Sequence, residues 1–196
     1  MVKLESYGIR SSPLNWIRDF LSDRSFVVDV NGALSPSVTV NSGVPQGSCL
    51  GPLLFAIFIN DLPSILPEHV HCSIFADDLK LYSFSNPRAL KKALRCLETW
   101  SSTWGLPISA PKTQIMHVGR NNPKVDYSLN DSSISKVSIV KDLGVSYDDQ
   151  LSFLPHIKLC FAKATRLCKM VYRVFRFTSR SSKTFRMRLE LWLSSQ

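Results

Sequence analysis

Two acids, Asp77 and Asp78, stand side by side between an apolar strand candidate at residues 70–75 and an alternating run at 79–84. That pattern predicts two strands joined at the acids, a hairpin with carboxylates at its tip. Adjacent carboxylates repel each other and are rarely set among apolar residues without a cation, so a hard divalent metal ion would resolve the conflict. Taken alone, an Asp-Asp pair is equally the mark of a solvated surface turn. A second run that invites a metal, His69-Val70-His71-Cys72, is weaker, because alternation sends His69 and His71 to one face of a strand and Cys72 to the other. The lone His117 and His156 read as packed or capping groups.

The elements that must position the acids can be read outward from them. Upstream, Ser42-Gly43-Val44-Pro45-Gln46-Gly47-Ser48 cannot be helical through its glycines and proline, so it forms a loop. The run 50–62 behind it is apolar nearly all round and predicts a buried helix. Before the loop, residues 26–30 and 33–41 flank Asn31-Gly32, which tolerates the two positive φ angles of a type I′ turn, so a β-hairpin is expected. Ser11, Ser12 and Pro13 open a short amphipathic helix through Leu14, Ile17 and Leu21, with a hydroxyl as its N-cap. Downstream, Ser85-Asn86-Pro87 starts a helix with Leu90, Ala93, Leu94, Leu97, Trp100 and Trp104 on one face, and Gly105 ends it in a left-handed conformation. Strands are predicted at 106–109, 114–118, 127–129 and 138–146, with Asn130-Asp131 as a turn. Strands and helices without regular βαβ alternation indicate an α+β fold.

Charge is concentrated at one end. Residues 1–157 hold 14 basic and 14 acidic side chains, whereas 158–196 hold 10 basic residues and the single acid Glu190, which accounts for the net +9. The pattern from about residue 151 to 177 is helical. At about 100° per residue, Lys158, Lys163, Arg166, Lys169, Arg173 and Arg176 share an arc of about 140°, and Cys160, Phe161, Ala164, Leu167, Cys168, Val171, Tyr172, Val174 and Phe175 occupy the opposite arc. One face must pack on protein or lipid, and the other is a cationic strip suited to nucleic acid or an anionic membrane surface. With 44% hydrophobic residues, the chain can bury a core and is not a disordered tail. Its longest apolar stretch, 50–59, contains Gly51 and Pro52 and falls short of the roughly 20 residues a spanning helix needs, so no membrane crossing is expected. Glu5 stands where a secretory signal would be apolar, so no such signal is read. The 5 cysteines, odd in number and without C-x-x-C, predict reduced, buried thiols in an intracellular protein, nuclear or cytoplasmic.

Taken together, the run from Ser42 through Val44-Pro45-Gln46-Gly47 to Phe55, Phe75-Ala76-Asp77-Asp78, and the stretch from Trp104-Gly105-Leu106 to Lys112 resemble the reverse transcriptases of non-LTR retrotransposons. Asp142-Leu143-Gly144-Val145 with the following 151–157 is similar to that family's segment at the palm–thumb boundary. The resemblance implies a partial polymerase palm over 1–125, a boundary hairpin over 126–157 and the start of a basic helical thumb over 158–196. It implies an RNA-directed DNA polymerase that joins a dNTP to a primer 3′-hydroxyl, with an RNA template, a DNA primer and two Mg²⁺ ions, or Mn²⁺ in their place. Asp77 would coordinate the catalytic metals and Asp78 would support the site. Pro45, Gln46 and Gly47 would lie against the incoming nucleotide and its templating base, Lys112 near the nucleotide phosphates, and Phe75 beneath the primer end. Lys158, Lys163, Arg166, Lys169, Arg173 and Arg176 would contact the nucleic-acid backbone.

The chain departs from the family in two places. Ser109-Ala110-Pro111-Lys112 replaces the more usual Asn-Pro-x-Lys. A further metal-binding aspartate, on a strand upstream of the 26–41 hairpin, has no counterpart: Asp19 and Asp23 sit on or just after the first helix, and Asp29 matches the family's hairpin itself, which implies a solvent-facing strand residue. The chain is therefore expected to be the later part of a palm with the beginning of a thumb, and inactive by itself. The alternative function is a non-catalytic nucleic-acid-binding remnant of a retroelement that keeps the basic helix.

Overall fold

A computed structural model describes residues 1–176, with side chains to Val174. They divide into two units, Met1–Ser109 with Ser128–Ser132, and Ala110–Tyr127 with the described residues from Ser133 onward.

The first unit opens with helices α1 (Val2–Ser6) and α2 (Ser11–Leu21). Leu14 and Ile17 of α2 are buried with Leu4, and Leu54 joins them from helix α3 (Gly51–Ile59) to make one apolar cluster. No hydroxyl caps α2: its N-cap is Arg10, and Ser11 is already helical by position with φ +55°. Strands β1 (Arg24–Phe26) and β4 (Val38–Val40) pair antiparallel, and inside them β2 (Asp29–Val30) pairs with β3 (Ala33–Leu34). The expected Asn-Gly turn joins β2 to β3, with φ +52° at Asn31 and +86° at Gly32, and the Gly32 N–H donates to Asp29 Oδ1 at 2.8 Å. Asp29 is exposed, as expected.

Helix α3 departs from expectation. Leu54 and Ile59 are buried, but Pro52, Leu53 and Ala56 form an exposed stripe, because the neighbouring elements cover only part of the helix. A run that is apolar all round does not reveal which side is covered.

Strands β5 (His71–Phe75) and β6 (Asp78–Tyr82) form the hairpin, and helix α4 (Pro87–Trp104) lies behind it. Asn86 caps α4 by accepting from the Ala89 N–H at 3.0 Å, and Gly105 ends it at φ +64°, both as the sequence predicts. Leu97 and Trp100 of α4, with Ile59 and Leu62, make a second cluster, against which Cys72, Ile74, Leu79 and Leu81 of the hairpin pack. Residues 106–109 alternate toward this cluster but have no strand partner among the described residues. Instead Ser101 Oγ donates to the Leu106 carbonyl at 2.6 Å and the Leu106 N–H donates to the Ser101 carbonyl at 3.1 Å.

In the second unit β7 (Gln114–Ile115) runs parallel to β10 (Ser135–Lys136). The short strands β8 (Ser128–Leu129) and β9 (Ser132–Ser133), of which Ser128–Ser132 belong to the first unit, flank the predicted Asn130-Asp131 turn. The single strand expected at 138–146 is a hairpin of β11 (Ile139–Asp142) and β12 (Val145–Asp148). It turns at Leu143, φ +46°, and Gly144, φ +91°. A left-handed leucine carries no turn signal, which is why the break was not foreseen. Helix α5 (Leu154–Arg176) follows, its entry fixed by the Ser152 N–H donating to Asp148 Oδ1 at 2.8 Å. Its apolar face was expected to pack; instead Phe161, Leu167, Tyr172 and Val174 are exposed, Phe161 by 74%.

Among the described residues every sheet is two-stranded, and strands and helices mix without βαβ alternation, in keeping with α+β. All 5 cysteines are free, but burial was over-called by the apolar neighbourhood: Cys49, Cys160 and Cys168 are exposed, Cys72 and Cys96 half-buried. No described helix is long and apolar enough to cross a membrane.

Candidate active site

Phe75 pairs with Asp78, so the β5–β6 turn is the two residues Ala76 and Asp77. Ala76 sits at φ +50°, a left-handed conformation that costs an L-residue about 1–2 kcal/mol. Period-two alternation then sorts the hairpin: Cys72, Ile74, Leu79 and Leu81 face the second cluster, while His71, Ser73, Phe75, Asp78, Lys80 and Tyr82 are exposed. Asp77 at the turn and Asp78 at the start of β6 are both exposed, and neither carboxylate has an ion-pair or hydrogen-bond partner among the described residues. Two unpaired carboxylates in succession suit a hard cation, and they fill only part of its coordination shell. Among the described residues no further His, Cys, Asp or Glu joins them to make a group of three.

The His69-to-Cys72 run holds no such group either. His69 lies before the strand at φ +67°, and the His71 ring stacks on Tyr82 with centroids 5.0 Å apart. Burial against the second cluster raises the Cys72 thiol above its usual range. His117 is half-buried, 6.2 Å from the Tyr127 ring, and His156 lies 3.5 Å from Cys160 Sγ.

The glycine-proline loop is fastened at both ends by residues that sequence reasoning passed over. Arg24 Nη2 donates to the carbonyls of Gly43 at 2.7 Å and Ser42 at 3.3 Å, while its Nε donates to Leu21 O at 3.0 Å. At the other end Ser48 Oγ donates to Pro45 O at 2.7 Å and accepts from the Gly51 N–H at 3.0 Å. Gly51 has to be glycine, because a Cβ there would come within 2.8 Å of Pro45 O and 3.0 Å of Ser48 Oγ. The Ser-x-x-Gly spacing at a helix start is the signal that could have found this clamp. Between the two clamps Gln46 and Gly47 form an exposed turn, Gly47 at φ +78°, and the Gln46 side chain makes no hydrogen bond among the described residues. Loop and hairpin share one support, since the loop enters α3, whose Phe55, Phe58 and Ile59 belong to the cluster beneath β5 and β6.

Lys112 ends a 3-10 turn, Ala110–Lys112, in the second unit and is exposed. Lys158, Lys163, Arg166, Lys169 and Arg173 are all exposed on α5, and none is ion-paired among the described residues. Arg176 closes the helix, with its side chain outside the described residues. Asp19 and Asp23, like Asp29, are exposed.

Residues 1–156 match the profile of a family described as Reverse transcriptase (RNA-dependent DNA polymerase). The chain belongs to this family. The RNA-directed DNA polymerase from mobile element jockey of Drosophila melanogaster is 31% identical over 153 residues, covering 72% of this chain and 17% of that protein. The probable RNA-directed DNA polymerase from transposon BS, from the same organism, is 30% identical over 185 residues, 85% of this chain and 20% of that protein. The Retrovirus-related Pol polyprotein from type-1 retrotransposable element R1 of Bradysia coprophila is 30% identical over 171 residues, 82% of this chain and 17% of that protein. These relatives set the chain among the reverse transcriptases of non-LTR retrotransposons. The chain spans about a fifth, or less, of the length of each. The reverse transcriptase profile takes in the clamped loop, the hairpin, α4 and Lys112, and ends before the basic strip of α5 begins at Lys158.

Proposed function

We propose that the chain carries the nucleotidyl-transfer hairpin of an RNA-directed DNA polymerase, with palm over 1–125, a boundary hairpin over 126–157 and the start of a thumb over 158–196, of which 177–196 lie outside the described residues. The observation that carries this reading is the pair of exposed, unpaired carboxylates on a two-residue turn whose inner strand faces rest on a packed core. Asp77 and Asp78 would hold Mg²⁺ or Mn²⁺, which when bound neutralises phosphate charge and acidifies the attacking hydroxyl. Phe75, 64% exposed on the face that also carries Asp78, offers a flat apolar surface to the terminal base of a DNA primer. Gln46 presents a free amide, one donor group and one acceptor, toward a dNTP or the RNA template base, while Gly47 adds no side chain to obstruct the approach. Pro45 fixes the loop entry, and Lys112 supplies a cation for the triphosphate or a proton for the departing pyrophosphate.

Because Asp77 and Asp78 provide only part of the ligand set for two ions, the 196-residue chain by itself is expected to be inactive. Primer extension on a primed RNA template with dNTPs and Mg²⁺ or Mn²⁺ tests this directly; incorporation by the isolated chain would sink it. In an N-terminally extended protein that supplies a further strand aspartate, Asp77→Asn should abolish extension while the thermal midpoint stays put. Unchanged extension by a folded Asp77→Asn protein would show that the hairpin is not the metal-binding element.

The exposed bases of α5 favour a second, compatible reading, nucleic-acid binding without chemistry. Binding of a primer-template duplex should be indifferent to sequence and fall with salt at a log–log slope of roughly −3 to −5, about −0.9 for each phosphate neutralised on a B-form duplex. Reversing Arg166, Lys169 and Arg173 to glutamate should flatten that slope. Salt-insensitive binding, or loss of affinity only for anionic vesicles, would assign the strip to a membrane surface instead.

A further inference from the structure

We propose that Phe58, Asp61, Trp100 and Trp104 form an ammonium-binding site, which the chain fills in cis with Lys3. The Lys3 side chain is only 10% exposed. Its Nζ donates to Asp61 Oδ1 at 2.6 Å and to the carbonyl oxygen of Phe58. Three rings surround it, with centroids 4.7 Å away at Phe58, 4.9 Å at Trp100 and 3.8 Å at Trp104. The carboxylate is itself held, since the Trp100 indole N–H donates to the same Asp61 oxygen at 3.2 Å. A lysine ammonium has three donors, and here each has a destination: a carbonyl, a carboxylate and an aromatic face.

Such an arrangement exceeds what a chance surface contact needs. A buried cation without partners would be strongly unfavourable, and a carboxylate together with electron-rich ring faces offsets that loss. Helix α1 is five residues long and could not persist without tertiary contacts. It is held at two points, Leu4 in the first apolar cluster and Lys3 in a cage built on the second. The second cluster also backs β5 and β6, so the cage and the hairpin share one support. The site selects a compact primary ammonium: a quaternary ammonium has no N–H for Asp61 or the Phe58 carbonyl, and a guanidinium is a broad planar fork. The assignment does not depend on the polymerase reading of the hairpin.

The test is chemical rescue. Lys3→Ala should lower the thermal midpoint of the full chain by roughly 5–15 °C, and n-propylammonium chloride should restore part of that loss in a saturable way, with a matching change in tryptophan emission. Sodium chloride and tetramethylammonium chloride at the same ionic strength should not, nor should n-propylammonium act saturably on the wild-type chain or on Lys3→Ala with Asp61→Asn. Should Lys3→Ala fail to fold, its refolding yield with and without n-propylammonium becomes the readout. A second arm compares Lys3→Met, Asp61→Asn and their combination, where the double variant should lose less than the two single losses added. An unchanged midpoint in Lys3→Ala, rescue no better than sodium chloride, or strict additivity in the cycle would each overturn the assignment.

Discussion

Two tight hairpins in the first unit reach the same outline by opposite means. The β2–β3 turn is made of Asn31-Gly32, the residues a type I′ turn prefers, and Asp29 braces it, yet both strands are exposed. The β5–β6 turn places alanine where a positive φ is unfavourable, and its strands rest a half-buried face on Ile59, Leu62, Leu97 and Trp100. In the first hairpin local turn chemistry does the holding. In the second, tertiary packing overrides an unfavourable turn, and the strain lies beside the two acids. Strained backbone persists where the surroundings over-determine it, and such places cluster at functional sites.

The largest way to break this contrast is to remove packing beneath β5 and β6. Leu97→Ala, at a buried position on α4, should cost about 2–5 kcal/mol of global stability, measured by urea unfolding. A loss below about 1 kcal/mol would mean that the hairpin does not lean on this core. Next, Gly32→Ala places a Cβ at φ +86° and should cost about 1–2 kcal/mol locally. Amide exchange of residues 29–34 should accelerate while the global midpoint hardly moves, because the β2–β3 strands are exposed. A large fall in the midpoint would show that this ribbon is coupled to the core after all. Smallest is Ala76→Gly: relief of the left-handed strain and the greater entropy of the unfolded glycine chain oppose each other, so stability should change by no more than about 0.5 kcal/mol. A loss well above 1 kcal/mol would mean that the alanine methyl has a packing role.

The same contrast explains what could be read in the sequence. Asn31-Gly32, the Asn86 cap, Gly105 and the alternation around the acids are local signals, and each element they announce is present. The exposed stripe of α3 and the exposed apolar face of α5 depend on what covers a helix, which periodicity does not contain. The β11–β12 hairpin escaped notice because Leu143 adopts a conformation its type disfavours. At the candidate site the acids and the Pro45-Gln46-Gly47 loop were visible by residue type, but the Arg24 and Ser48 clamps were not. Lys3 was the least visible. It is one charge in a short helix, and its partners lie more than fifty residues away.

That separation has a consequence in time. Lys3 is among the first residues of this sequence to be made, and Trp104 follows it by about a hundred positions. At roughly 5–20 residues per second, the cage is completed about 5–20 s after its ligand has been synthesised. During that interval α4 does not yet exist, and Asp61 and Phe58 arrive without the indoles that enclose them. The β5–β6 hairpin, with its unfavourable turn, also waits for Leu97 and Trp100 of α4, and the ammonium docks only once both tryptophans are present. The earliest residue of the cage is therefore the last to find its place.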